Sequence, residues 1–252
     1  MQMFRTRFKQ EIVTEFLPPV REGKKRRVII LCDGMPSIPR KQPLAEFLAG
    51  KGSWVFYPRY RGAWESGGKF LEGSPHLDIL DVIGGLAQEF RELAFGKHFR
   101  VTPDEIIVIG GSFGGAAAIL ASMDPRVKKV IANCPVVDWG ILAREQKKET
   151  SNPNYAEYIR EAFGQGYRLS DRNWSKLRDG KFFNPAYHAD EIKGEKIMMF
   201  HAQDDPYVPY RTVEKFAKRT GAKLKLFRRG GHLSTDMIVR KYWTQIRGFF
   251  RD

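Results

Sequence analysis

One serine stands between two glycine pairs in the stretch Gly110-Gly111-Ser112-Phe113-Gly114-Gly115. The apolar, β-branched run at 106–109 leads into it, and an alanine-rich run at 116–118 leads away. A strand pattern therefore becomes a helix pattern at the hydroxyl. In an open α/β sheet, functional groups gather at the carboxyl ends of the strands. A serine on a tight strand-to-helix turn is held out above the sheet, and flanking glycines relieve the crowding there, which is the logic of a Gly-x-Ser-x-Gly nucleophile turn. The helix that follows aims free N–H groups and the positive end of its dipole at any anion forming nearby. The pentapeptide alone would also suit a glycine-rich turn that packs a helix tightly or cradles a phosphate. The strand before it and the helix after it favour the nucleophile.

A serine hydroxyl is a poor nucleophile without a base. The chain has five histidines: His76, His98, His188, His201 and His232. Where a nucleophile turn of this kind is used, the chain order is serine, acid, histidine. His232 follows "RRGG" (228–231) on a loop leaving a strand-like segment, where its ring can swing over the sheet edge toward Ser112. His188 reads as a surface or packing residue, and His201, closing an apolar run, as a buried and hydrogen-bonded one. The acid belongs on the loop after the penultimate strand, where "HAQDDPYVP" (201–209) offers Asp204 and Asp205. Its work is to accept the second imidazole N–H, fix the tautomer and stabilise the imidazolium.

Positioning such groups requires alternating strands and helices, and the sequence supplies them. Strand patterns are read at 26–34, 53–60, 105–111, 126–137, 195–205 and 222–231. Helix patterns are read at 43–52, 74–93, 112–123 and 210–221, with a last helix from about 233 to 250. This alternation implies an α/β fold, a mostly parallel central sheet flanked by helices on both faces. "EIVTEF" (11–16) adds an antiparallel edge strand. Residues 138–190 break the rhythm: they hold no convincing buried strand but carry Trp139, Tyr155, Tyr158, Phe163, Tyr167, Trp174, Phe182 and Phe183. They read as a helical lid or cap inserted into a single domain spanning 1–252, with Trp139 a candidate for the substrate pocket because it closely follows a strand end.

Composition narrows the class. No apolar run approaches the roughly 20 residues that span a bilayer, and "MQMFRTRFKQEIVTEFLPP" lacks the apolar core of a signal peptide. Cys32 and Cys134 each lie in a strand-like run and read as buried free thiols, so a cytoplasmic protein is expected. The net charge of +14 raises the question of nucleic acid. Its lysines and arginines are dispersed, with short clusters at 23–27 and 144–148, and no aromatic-interleaved basic repeat, zinc spacing or recognition-helix signature accompanies them. Solvated surface charge is the reading adopted, and no nucleic-acid partner is expected.

Four stretches together resemble the catalytic domain of the prolyl oligopeptidase family of serine hydrolases, within the α/β-hydrolase superfamily. They are "YPRYRGAWESGGKF" (57–70), "GGSFGG" (110–115), "HAQDDPYVP" (201–209) and "GGH" (230–232). In that family the acid begins an Asp-x-x-Val-Pro run, which the resemblance carries onto Asp205-Pro206-Tyr207-Val208-Pro209 and so onto Asp205. The resemblance implies a triad of Ser112, Asp205 and His232, with an oxyanion hole from the N–H groups of Phe113 and Met35. Family members commonly have His-Gly-Gly-Pro after the first central strand, where this chain has Asp33-Gly34-Met35-Pro36. A backbone donor survives that change, so the hole is retained in altered form. Nothing in the sequence matches the β-propeller of the larger members, which shifts the expectation from peptidase toward carboxylesterase. The substrate expected is a small ester or short peptide, with no cofactor and no metal; a homo-oligomer stays open. Two alternatives are carried forward: an aminopeptidase or acyl-peptide hydrolase, and a non-catalytic binding protein on the same scaffold.

Overall fold

Strand formation follows the β-branched and aromatic runs, and the two faces of the sheet are legible in the alternation of β3 (Arg27–Cys32). Val28 and Ile30 face one apolar layer while Ile29 and Leu31 face the other, and all four are fully buried. A central strand covered on both sides has this near-continuous apolar character. The computed structural model describes residues 3–142 and 155–251; the basic cluster at 144–148 lies outside the described residues.

The remaining elements, in chain order, are β1 (Phe4–Phe8) and β2 (Ile12–Leu17) before β3, then α1 (Gln42–Gly50), β4 (Ser53–Pro58) and α2 (Pro75–Gly85). A short hairpin follows, β5 (Phe90–Arg91) and β6 (His98–Phe99), then β7 (Glu105–Gly111), α3 (Phe113–Ala121) and β8 (Val127–Asn133). Beyond these lie α4 (Tyr155–Phe163), α5 (Asp171–Ser175), β9 (Ile197–Ala202), α6 (Tyr210–Thr220), β10 (Lys223–Phe227), α7 (Thr235–Lys241) and α8 (Trp243–Phe249). Eight strands form one sheet in the order β1-β2-β4-β3-β7-β8-β9-β10. The six from β4 to β10 run parallel, so their carboxyl ends share one rim. Helices α1, α7 and α8 cover one face, and α2, α3 and α6 the other.

Three expectations change. The segment 11–16 is a strand, but β2 lies between β4 and β1, and β1 is the edge. The helix read over 74–93 stops at Gly85, where a Cβ would come 2.5 Å from the Phe8 ring. The chain then turns away, and Phe90 and Phe99 join Phe8, Phe16 and Phe56 in an aromatic cluster, so burial of rings overrides helical spacing. The terminal helix is two, broken at Tyr242, whose φ of −105° and ψ of 20° leave the helical region.

The described part of the 138–190 insertion is stitched to the loop after β4. Trp64 N–H donates to the Gly166 carbonyl (2.9 Å), and the backbones of Arg168 and Gly62 meet at 2.8 Å. The Arg168 guanidinium donates to the carbonyls of Gly68, Trp64, Gln165 and Ser66. One fork thus satisfies oxygens from two separate loops. Arg168→Ala is expected to lower stability by about 1–3 kcal/mol in urea unfolding and to expose the 155–183 region to limited proteolysis. Arg168→Lys should recover little, because an ammonium cannot span four carbonyls as a planar fork does.

Candidate active site

Ser112 joins β7 to α3 with φ 55° and ψ −121°, a conformation that L-residues rarely adopt. Its backbone is over-determined there. The N–H donates to the Asn133 carbonyl (2.9 Å), while its carbonyl accepts from Gly115 (3.0 Å), Ala116 (3.3 Å) and Val136 (3.1 Å). The glycines answer to close approach: a Cβ on Gly110 would lie 2.0 Å from the Gly114 carbonyl oxygen. One on Gly114 would lie 2.5 Å from the carbonyl oxygens of Cys32 and Asp33. Phe113 drives its ring into the core among Tyr60, Phe70, Trp139 and Phe183, which anchors the turn from behind.

The loop after β9 carries Asp205, whose carboxylate is fully buried. Its Oδ1 accepts from the N–H groups of Tyr207 (2.9 Å) and Val208 (3.1 Å), and its Oδ2 receives His232 Nδ1 at 2.8 Å. Burial alone would raise this carboxyl; the hydrogen bond and charge of His232, with the two backbone donors, outweigh it and hold the group below the usual aspartate range. His232 is one-quarter exposed, and the Tyr207 ring meets it edge-on at 5.4 Å. Asp204 braces the same loop by accepting from Gly231 N–H at 2.9 Å. With Nδ1 engaged, Nε2 is the ring nitrogen outside that bond. Ser112 Oγ and the His232 ring are not hydrogen-bonded to each other. Asn133 joins the two segments: its carbonyl holds Ser112 N–H, and its side-chain amide donates to the carbonyl of Leu233 at 2.6 Å.

The loop after β3 lies against the turn, and a Cβ on Gly34 would sit 3.7 Å from Ser112 Cβ. Asp33 organises this loop. Its carboxylate accepts from Gly34 N–H (3.0 Å) and from the Tyr57 hydroxyl (2.5 Å), and Lys41 Nζ stands 3.4 Å away. Tyr60 hydroxyl donates to the Asp33 carbonyl at 3.1 Å. Burial and the neighbouring Asp33 carboxylate push the Tyr57 hydroxyl well up, so it stays a donor. The N–H groups of Phe113 and Met35 have no acceptor among the described residues. Asp33, Tyr57, Tyr60 and Asn133 carry no role in the sequence analysis; the signals were that both tyrosines fall in the 57–70 stretch and that Asp33 opens the Asp33-Gly34-Met35-Pro36 loop.

Trp139 lies behind the turn. It is 7% exposed, its indole N–H donates to the Phe183 carbonyl (2.9 Å), and its ring packs on Phe113. His201 is fully buried, with Nε2 3.0 Å from the Val208 carbonyl. His98 and His188 pair with Glu89 (3.0 Å) and Glu191 (3.1 Å), and His76 lies beside Ser74 (2.8 Å). Both cysteines are buried free thiols. Cys134, His201 and Asp205 place ligand-type atoms within 4.8 Å of one another. Asp205 Oδ2 is engaged with His232 and His201 Nε2 with the Val208 carbonyl, while His201 Nδ1 is buried without a hydrogen-bond partner.

The sequence profile of the prolyl oligopeptidase family matches residues 43–241. No curated protein matches the sequence significantly. Among solved structures, an esterase of Pyrococcus furiosus is similar with a TM-score of 0.66 at 18% identity, over 99% of this chain and 88% of its own. The esterase Est1E of Butyrivibrio proteoclasticus, solved with ferulic acid bound, gives 0.69 at 18% identity over 98% and 99%. The acylaminoacyl peptidase of Pyrococcus horikoshii gives 0.67 at 17% identity, over 98% of this chain but 41% of that one. The fold shared with these esterases is the α/β-hydrolase fold. Among the described residues no helix is long and apolar enough to cross a membrane.

Gly114→Ala is expected to cost about 1–3 kcal/mol in chemical denaturation, because the new methyl meets backbone rather than a side chain that can give way. The depressed Asp205 carboxyl adds stability that is complete above the unfolded-state value, near pH 4, and is lost as the pH falls through the lower folded value. Urea unfolding from pH 6 down to pH 3 should therefore show a shallower acid loss for Asp205→Asn than for wild type.

Proposed function

The chain belongs to the prolyl oligopeptidase family, and from that premise we propose that it is a serine hydrolase that cleaves carboxylic esters through an acyl-serine intermediate. The observation that carries this reading is the buried Asp205 carboxylate 2.8 Å from His232 Nδ1, on a loop tied through Asn133 to the strained Ser112 turn. In this reading Ser112 Oγ attacks the ester carbonyl as His232 Nε2 takes its proton. The same imidazolium then protonates the departing alkoxide, and a water activated by Nε2 cleaves the acyl-serine. Asp205 keeps the imidazole in the tautomer that presents Nε2 as acceptor and stabilises the imidazolium. The N–H groups of Phe113 and Met35 serve as the oxyanion hole, each donor worth about 3–4 kcal/mol in the transition state. Asp33, held by Tyr57 and Tyr60, keeps the Met35 side of that hole in place.

The esterase reading is preferred to the peptidase one because the similar esterases are matched over 88% and 99% of their own chains, whereas the peptidase is matched over 41%. Amide cleavage is the second reading, since the same groups would serve it. The molecule is read as a single domain in which the 138–190 insertion is a cap, its described part anchored by Arg168. Trp139 shapes the acyl pocket by backing Phe113, its own N–H being committed to Phe183. Exposed Tyr155, Tyr158 and Tyr207 support a preference for aromatic esters, and ferulic acid bound to Est1E is in keeping with this. The two buried thiols support a cytoplasmic setting.

Ser112→Ala should fold normally, lose covalent labelling by a fluorophosphonate probe, and lower kcat about 10⁵–10⁶-fold. Undiminished labelling of the mutant would overturn the assignment. On a panel of p-nitrophenyl esters and peptidyl anilides, aromatic esters should be turned over fastest; a preference for anilides would favour the peptidase reading.

A further inference from the structure

We propose that Asn133 is a positioning residue that sets the separation of Ser112 from His232, an inference that rests on the serine-hydrolase reading. Asn133 is the last residue of β8 and is 1% exposed. β8 lies directly between β7, which ends at the nucleophile turn, and β9, which leads into the acid loop. Both ends of this residue are committed to different segments. The main-chain carbonyl accepts Ser112 N–H at 2.9 Å. The side-chain nitrogen donates to the carbonyl of Leu233, one residue past His232, at 2.6 Å, and reaches Thr235 Oγ1 at 3.4 Å. Thr235 Oγ1 in turn fills the space above Gly111, only 2.2 Å from where a Cβ would stand. Residues 111–112 and 233–235 are thus clamped against one another through a single asparagine.

What identifies the clamp as serving position is its unmet bond. Asn133 Oδ1 is buried and has no hydrogen-bond partner. A leucine of similar volume would remove that orphan acceptor and leave another, the Leu233 carbonyl, so the exchange trades one unpaired oxygen for one. Stability alone gives little reason to keep an amide here. Placement of the imidazole does, because Ser112 and His232 are not bonded directly and an error of about 1 Å in such a pair costs about 100-fold in rate.

Asn133→Leu is the test, with Asn133→Ala as a variant that cannot overpack. Each should keep a melting temperature near that of wild type, bind the fluorophosphonate to full stoichiometry though more slowly, and lower kcat about 10–100-fold with KM within about twofold. Hydrogen exchange should quicken about tenfold at 230–236 and stay unchanged in β3 and β4. A kcat within about twofold of wild type, or a loss of rate that merely follows a loss of folded protein, would overturn the proposal, as would failure of both variants to fold. Should wild type hydrolyse nothing on the panel, the hydrolase reading falls separately, and the exchange rates decide the clamp: unchanged protection at 230–236 refutes it.

Discussion

The site depends on one close contact between two backbones. The first turn of α3 lies so near the end of β3 that Gly114 has no room for a side chain, its would-be Cβ falling 2.5 Å from the carbonyl oxygens of Cys32 and Asp33. This contact bends the chain sharply at Ser112 and puts its hydroxyl at the rim of the parallel strands. It also brings the Asp33–Met35 loop alongside the hydroxyl. Proposed nucleophile and proposed oxyanion donors are therefore placed by one packing constraint. The strained φ of Ser112 persists because four backbone hydrogen bonds and the buried Phe113 ring hold it there.

The carboxylates at this rim are each held by several donors. Asp205 spends Oδ1 on two N–H groups of its own turn and Oδ2 on His232 Nδ1, so that Nε2 is the ring nitrogen outside this bond. Asp33 takes a tyrosine hydroxyl, a backbone N–H and a nearby ammonium, which leaves the N–H of Met35 without an acceptor. The cost of burying these carboxylates is offset locally by donors within about 3 Å. Preorganised donors of this kind need not reorganise when charge develops.

Aromatic packing ties the site to the rest of the molecule. Phe113 contacts rings from the β4 loop, from the segment after β8 and from the insertion. A shift in any of these reaches the Ser112 turn within one layer of side chains, because close-packed interiors transmit displacement. The same preference for burying rings explains why the helix pattern at 74–93 gave way at Gly85. Phe90 packs on Phe8 and Phe16, and Phe99, beyond the helix pattern, packs on Phe16.

Much of the candidate site was legible in one dimension because its turns are written locally. The glycines around Ser112 and the Gly-Gly before His232 are short-range devices, each set by a backbone turn within a few residues, whereas the residues left Asp204 and Asp205 open and only the family resemblance pointed to Asp205. The strand and helix alternation was legible for the same reason, as periodicity of burial. Asp33, Tyr57, Tyr60 and Asn133 were not, since their roles arise only across the sheet. Tyr57 reaches Asp33 from an adjacent strand, and Asn133 reaches Leu233 from a hundred residues away along the chain. Likewise β1 became the edge strand through pairing, not pattern. Local pattern thus determined the turns and the candidate groups they carry. The tertiary structure alone decided which of them share a hydrogen bond, because strand order, unlike periodicity, is chosen by how whole faces are buried.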